Sequence, residues 1–327
     1  PNDSLDEIQI YLSDISGWII RSGTKITKQN ISDAKKLQII GRAGVGTDNI
    51  DIDSATKSGV VVMNVPDGNT ISAAEHTIAM MMSLSRNIHL GHMSLVLGNW
   101  DRNKLVGNEL RRKTLGVVGL GKIGREVIKR TLSYDMKILG FDPFVSQDSF
   151  DENEVKIVTL DELTISSDYI TLHVPMMAST KNLFNLDRLK MMKSNAKIIN
   201  VARGGILNEE DLAYALNNDI ISGAALDVFV SEPLDSKSDL LNTKNILLTP
   251  HLGASTYEAK EGVSQGICNQ IIEYFSHAKL INALNIPVSD PSILKKMTPY
   301  YRLTEKMGNI LSQLSEGPIK DMEIICY

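Results

Sequence analysis

Two cysteines in 327 residues, Cys268 and Cys326, exclude a disulfide framework, and no cysteine pair has the spacing of a zinc site. A reducing, cytoplasmic setting is expected. Positive charge is not in excess. The net charge of −5 argues against nucleic acid as a partner, because gripping a phosphate backbone needs a basic face. No apolar run is long enough to span a bilayer, so no membrane partner is expected. The front, Pro1-Asn2-Asp3-Ser4, has neither a start methionine nor a signal peptide and reads as cut. At the back, Met322-Glu323-Ile324-Ile325-Cys326-Tyr327 reads as a strand entered and abandoned.

What is present is ordinary for a globular chain: 43% apolar and 22% charged residues, over a length sufficient for two domains. Short β-branched runs alternate with amphipathic stretches, which predicts βαβ units and parallel sheets. The expected fold is α/β, with two doubly wound parallel-sheet domains. Strands are expected at 18–20, 37–40 and 60–63 in a front set. A larger set is expected at 115–118, 137–141, 169–172, 197–199, 223–226 and 245–248. Ser72-Ala73-Ala74-Glu75 has the pattern of a capping box opening a long helix, and Ile78, Met81, Met82 and Leu84 follow as a packed face. A second box, Ser255-Thr256-Tyr257-Glu258, opens a helix running towards Lys279 and returns the chain to the first domain. The expected division is therefore 1–86, 87–254, 255–285 rejoining the first domain, and 286–327 as the start of a further one. Pro287, Asp290 and Pro291 mark a linker. Tyr301, Met307, Ile310, Leu311 and Leu314 fall on one side of a helix that Gly317-Pro318 ends.

Thr114 to Gly124 reads as a strand, a tight turn and a helix start, with glycines at 119, 121 and 124. Gly119 permits the turn, Gly121 lets the backbone approach a pyrophosphate, and Gly124 lets helix and strand pack closely. Free N–H groups at the helix start favour the anion. Asp142 ends the next strand, 18 residues past Gly124. An acid near that offset accepts hydrogen bonds from the adenosine ribose and repels a 2′-phosphate, which favours NAD over NADP. The bland alternative is a turn aspartate before Pro143.

Three further residues each follow a strand. Arg203, in Asn200-Val201-Ala202-Arg203-Gly204-Gly205, offers a planar fork that can grip a carboxylate and polarise a carbonyl. Its alternative is a surface ion pair. Glu232 can hydrogen-bond a histidine, hold its orientation and favour its cation; otherwise it is a solvated loop acid. His251 can take a hydroxyl proton as hydride leaves a carbon, and return it in reverse. Asp227 can hydrogen-bond a nicotinamide carboxamide or cap a turn. The remaining histidines, His76 among them, show no comparable setting. His89 and His92 lack a third metal ligand, so no metal is expected. Gly41-Arg42-Ala43-Gly44-Val45-Gly46 is a second glycine-rich loop, whose N–H groups at Gly44, Val45 and Gly46 can cradle a carboxylate. Arg21-Ser22 and Arg42 add cations at strand ends. Together they would suit a phosphorylated acid; the alternative is ordinary surface charge.

These motifs, with Gly119-Leu120-Gly121-Lys122-Ile123-Gly124, Asp227-Val228-Phe229, Glu232-Pro233 and Pro250-His251-Leu252-Gly253-Ala254-Ser255-Thr256, resemble the D-isomer-specific 2-hydroxyacid dehydrogenases. The likeness runs from Trp18 to about Asn285 and is strongest to the phosphoglycerate-oxidising members. It implies two Rossmann/flavodoxin-like domains: a discontinuous, N-terminally truncated substrate domain and an NAD-binding domain at 87–254. It implies Arg203, Glu232 and His251 as catalytic residues. NAD contacts are implied at Gly119, Gly121, Lys122, Ile123, Gly124, Asp142, Val174, Val201, Ala202, Asp227, His251, Gly253 and Ala254. Arg21, Ser22, Arg42, Gly44, Val45, Gly46 and Arg102 are implied to bind a small phosphorylated hydroxy acid, Arg102 across an interface. A homodimer or homotetramer is implied, and 286–327 resembles the start of a regulatory domain. The expected reaction is oxidation of 3-phospho-D-glycerate to 3-phosphooxypyruvate, the entry to L-serine synthesis. The rivals are a reductase of glyoxylate, hydroxypyruvate or another 2-keto acid, and an NAD(H)-sensing corepressor or scaffold on the same fold.

Overall fold

The computed structural model describes residues 11–286 together with 300, 303, 304, 306–308, 310, 311, 313 and 314. The expected linker at Pro287 to Pro291, Tyr301, the helix stop at Gly317-Pro318, the last strand, Cys326 and the first four residues lie outside the described residues. Met307, Ile310, Leu311 and Leu314 are helical and exposed.

The chain divides into two compact units, Pro1–Val65 with Gln265–Tyr327, and Pro66–Ser264. The helices are α1 (Lys28–Asp33), α2 (Ile52–Lys57), α3 (Thr70–Ser85), α4 (Ile88–Val96), α5 (Lys122–Leu132), α6 (Leu160–Ser166), α7 (Leu186–Met191), α8 (Glu209–Asn217) and α9 (Tyr257–His277). The first division falls well before the expected residue 86. The reason is packing: Ala74, Met80, Met81 and Leu84 of α3 share a core cluster with Val127 and Ile128 of α5. The methionines are thus buried core. The second division falls inside α9 rather than at 254.

In the first unit β1 (Gly17–Ile20), β2 (Ile39–Arg42) and β3 (Val61–Asn64) form a parallel sheet in that order. Gly41 is required there, since a Cβ would stand 2.7 Å from both Ile267 and Ile271 of α9. Asn285 returns to the outer edge of β3: its Oδ1 accepts from Val62 N at 2.8 Å and its Nδ2 donates to Val60 O at 2.8 Å.

The second unit holds β4 (Thr114–Val118), β5 (Lys137–Phe141), β6 (Val155–Ile157), β7 (Tyr169–Leu172), β8 (Lys197–Asn200), β9 (Gly223–Leu226) and β10 (Ile246–Leu248). They form a seven-stranded parallel sheet ordered β10-β9-β8-β7-β4-β5-β6. The edge strand β6 was not expected; three residues, one a lysine, give no readable pattern. Neighbouring residues of one strand face opposite cores. Val118, Ile198 and Ala224 belong to one cluster, Val117, Ile199 and Ala225 to the other. Both faces are therefore covered, as a parallel sheet requires.

Both capping boxes sit differently from their sequence reading. Helix α3 starts at Thr70 after Asn69, so Ser72 lies inside it and meets the Thr256 hydroxyl at 2.7 Å. At α9 the cap is Thr256 rather than Ser255, its Oγ1 accepting from Ala259 N at 3.1 Å. At α9 a neighbouring hydroxyl satisfied the same pattern, whereas the N-cap of α3, Asn69, makes no side-chain cap hydrogen bond.

Gly124 packs so close to β4 that an added Cβ would collide with the Gly119 carbonyl oxygen. Backbone cannot yield as a flexible side chain does. Gly124→Ala should cost about 1–3 kcal/mol. A urea-unfolding midpoint equal to the wild type would show that the turn tolerates the methyl.

Candidate active site

Adjacent strands of the large sheet end in one row. Phe141 pairs with Val118, Val118 with Leu172, Leu172 with Asn200, Asn200 with Leu226, and Leu226 with Leu248. Each sequence-expected residue of this unit except Arg102 lies just beyond that row or in the helix start that follows it. The order reverses between β4 and β7, the switch point at which open α/β sheets bind ligands.

The glycine turn occupies that point. Gly119 has φ +95°, and a Cβ on it would press on His173 O at 2.6 Å. Gly121 has nothing within 4 Å of where its Cβ would be, so one side of its backbone is open. It is the N-cap of α5 and brings no side-chain cap to the first-turn N–H groups. An open backbone at an uncapped helix start fits a pyrophosphate. Asp142 accepts from Leu120 N and Phe144 N, both at 2.9 Å. It thereby makes the turn that was its bland alternative and is also tied to the glycine loop, with each oxygen keeping a lone pair. Lys122 pairs with Asp67. Ile123 is half-buried. Val174 stands at the end of β7, with its Cγ1 2.9 Å from where a Gly119 Cβ would be.

Beyond β8, buried Asn200 shapes the arginine loop. Its Nδ2 donates to Arg203 O at 2.9 Å and its Oδ1 accepts from Ala202 N at 3.0 Å. Arg203 Nη1 donates to Ala202 O at 2.7 Å. A Cβ on Gly204 would collide with the Phe229 carbonyl, so only glycine lets the arginine loop lie against the loop after β9. That second loop carries Glu232, whose Oε1 accepts from Phe229 N at 3.1 Å. Its Oε2 lies 2.6 Å from His251 Nδ1. Glu232 and His251 are both partly exposed, so the pair faces solvent and leaves Nε2 to meet a reactant. Glu209 adds a third carboxylate, accepting from Val230 N at 2.6 Å. Burial, joined by the nearby Glu232 charge, pushes the Glu209 carboxyl up against the Val230 bond.

Asp227 is fully buried, at 0% exposure. Its Oδ1 accepts from the Thr249 hydroxyl at 2.5 Å and Leu252 N at 2.7 Å, and its Oδ2 from Gly253 N at 2.8 Å. Of its two sequence readings, the loop cap is the one this geometry holds. Val201 packs beside Gly253, its Cγ1 3.0 Å from where a Cβ would be. Gly253 is buried and Ala254 half-buried. Sequence reasoning missed His76, whose Nε2 lies 3.1 Å from Asp227 Oδ1. No local signal marks it; only the packing of α3 brings it there.

In the first unit, Arg42 closes β2 opposite Ile20, and exposed Arg21 follows β1. Asn49 Nδ2 donates to the carbonyls of Arg21 and Thr24, tying the two loops together. Asn64 Nδ2 donates to Val45 O at 2.7 Å, and Gly44 has φ +142°. Ser22 is exposed and Gly46 half-buried. Arg102 is exposed in a short 3-10 turn, Arg102–Lys104.

Residues 78–253 match the sequence profile of the D-isomer specific 2-hydroxyacid dehydrogenase, NAD binding domain. The chain belongs to the D-isomer specific 2-hydroxyacid dehydrogenase family. D-3-phosphoglycerate dehydrogenase of Synechocystis sp. is 46% identical over 97% of this chain and 57% of its own length. The Bacillus subtilis enzyme of that name is 41% identical over 98% of this chain and 60% of its own. The chain thus spans less than two thirds of the curated relatives it matches. A Staphylococcus aureus NAD-dependent formate dehydrogenase, solved with NAD, superposes with a TM-score of 0.79 at 30% identity, covering 89% of this chain and 88% of that one. The family's NAD-binding domain is therefore the unit whose strand ends carry Arg203, Glu232 and His251.

Burial is the largest influence on Asp227 and pushes its carboxyl up. The bonds from His76, Thr249, Leu252 and Gly253 outweigh it and hold the pKa below the ordinary 3.8. A depressed carboxylate pKa contributes stability that is present above the unfolded value and lost as pH falls through the folded one. Asp227→Asn should therefore be destabilised at neutrality, with the gap to wild type narrowing below about pH 4. Urea midpoints across that range check this; a gap constant with pH would remove the charge from the account.

Proposed function

We propose that this chain oxidises 3-phospho-D-glycerate to 3-phosphooxypyruvate with NAD, the first step of L-serine biosynthesis. The observation that carries the chemistry is the His251 Nδ1 to Glu232 Oε2 contact of 2.6 Å, beside the row of strand ends that also holds the glycine turn. With Glu232 holding Nδ1, His251 Nε2 takes the hydroxyl proton of the substrate and returns it in reduction. Arg203 orients the substrate carboxylate and polarises the C–O bond. NAD, when bound, would supply the acceptor for the hydride that leaves the substrate carbon. Gly119 to Gly124, Asp142, Val174, Val201 and Ala202 would hold it, on the open backbone of Gly121.

The substrate assignment is supported by the likeness to phosphoglycerate dehydrogenases over nearly the whole chain. Arg21, Ser22, Arg42 and the loop at Gly44 to Gly46 would take the phosphate and carboxylate. A 2-keto acid reductase is the second reading, favoured by a solved glyoxylate reductase that matches with a TM-score of 0.78. NADH absorbance followed with 3-phosphoglycerate and with unphosphorylated D-glycerate decides between them. A clear preference for the phosphorylated acid is expected. Equal rates, or faster glycerate oxidation, would sink the phosphate assignment.

We propose further that the chain works as a homodimer or homotetramer in the cytoplasm. Helix α4 buries none of its residues, and Met93, Leu95, Val96, Leu97, Trp100 and Val106 are all at least half exposed. Large apolar side chains exposed together along one segment mark an interaction surface. A second copy would cover it and receive Arg102. Among the described residues, no helix is long and apolar enough to cross a membrane. Sedimentation of the full chain should give a dimer or larger, and Leu97→Glu combined with Trp100→Glu should release monomers. A monomeric wild type would refute the assembly.

A further inference from the structure

His76 has no part in the chemistry above, yet it meets the loop that carries His251. It lies in the first half of α3, with its side chain 20% exposed. Its Nε2 is 3.1 Å from Asp227 Oδ1 and 3.3 Å from Thr249 Oγ1. Thr249 has one hydroxyl proton. Its Asp227 contact, at 2.5 Å, is far closer than its other acceptor, the Met80 sulfur at 3.6 Å. The proton therefore goes to Asp227, and both groups facing His76 are acceptors. This fixes the tautomer: Nε2 carries hydrogen and donates.

The other end of the network is the His251 backbone. His251 N donates to Asp227 O at 2.9 Å and Thr249 O at 3.0 Å. His251 has φ +53°, a left-handed conformation that a β-substituted residue keeps only when its surroundings impose it. The imposing contacts all run to Asp227 or Thr249: the His251 N–H to their carbonyls, and Leu252 N and Gly253 N to the Asp227 carboxylate. Among the described residues, His76 is the one donor to that carboxylate that comes from a different element of the unit. We infer that His76 is a positioning residue, acting through Asp227 and Thr249 to hold the backbone that aims His251 at Glu232. The inference rests on the reading of His251 as the proton-transferring group.

The test compares His76→Leu, His76→Asn and His76→Gln in the full chain. Glutamine places an N–H where Nε2 stands; asparagine falls short and leucine offers none. The first readout is independent of turnover: the downfield proton NMR signal of the His251 Nδ1–H shared with Glu232. It should persist in wild type and His76→Gln and be lost in the other two. The second readout is steady-state kinetics. In His76→Leu and His76→Asn, kcat should fall on the order of tenfold or more, because misplacing a reacting group by a fraction of an ångström is costly. KM should change little, and His76→Gln should recover most of kcat. A leucine or asparagine variant that keeps both signal and kcat overturns the inference. So does a glutamine variant no better than asparagine. Should His76→Leu not fold, the asparagine and glutamine pair still decides. His251→Asn serves as a control: retained turnover there would remove the reading of His251, while the NMR signal would still judge His76 alone.

Discussion

The arrangement of this unit depends on one buried negative charge. Asp227 is wholly removed from water, and an unpaired carboxylate there would cost several kcal/mol. It is tolerable only with donors in place. Those donors are a helix imidazole, a threonine hydroxyl and two loop N–H groups. Satisfying the charge therefore folds the loop from Thr249 to Gly253 into one conformation. His251 acquires its unusual backbone as a consequence. The polar core of the unit and the geometry of its reactive edge are one network.

A second constraint brings the pieces of that edge together. Parallel strands in register end side by side, so loops distant in sequence start as neighbours. Two glycines let them close the remaining gap. Gly204 admits the Phe229 carbonyl, which sets the arginine loop against the glutamate loop. Gly119 admits the His173 carbonyl across the switch point. In both places backbone meets backbone, where no side-chain rearrangement could make room. The glycines are therefore structural requirements of this edge.

Most strands and the row of site residues were legible in the sequence because β-branched runs ending in glycine, proline or a charged residue mark strand ends directly. The strand β6 was not, because three residues carry no period. Helix starts were legible only to within one to three residues: at Ser72 and Ser255 a hydroxyl stood at box spacing, but α9 is capped by the neighbouring Thr256, and α3 begins after Asn69, three residues earlier, without a side-chain cap. Asp227 was legible as important and ambiguous in role, since a cap and a ligand contact demand the same carboxylate. His76 was invisible. Its partners are 151 and 173 residues away, and local sequence carries no trace of a bond made by packing one helix over a sheet edge.

Under the proposed function the proton-transferring residues belong to the second unit and the candidate phosphate-binding cations to the first. Solved relatives with this fold are named for formate, glyoxylate and D-lactate, with TM-scores of 0.79, 0.78 and 0.77. Among these relatives one backbone therefore serves acids of different size, each with a single carboxylate. What these acids share is a carboxylate, the group that the planar fork of Arg203 in the second unit would grip under the proposed function. What distinguishes a phosphorylated acid is additional negative charge, which calls for additional cations. Under the proposed function Arg21 and Arg42 would supply them at two adjacent strand ends of the first unit, where Asn49 ties their loops together. On that proposal, exchanging cations on the small sheet would alter substrate choice and leave the charge network around Asp227 intact.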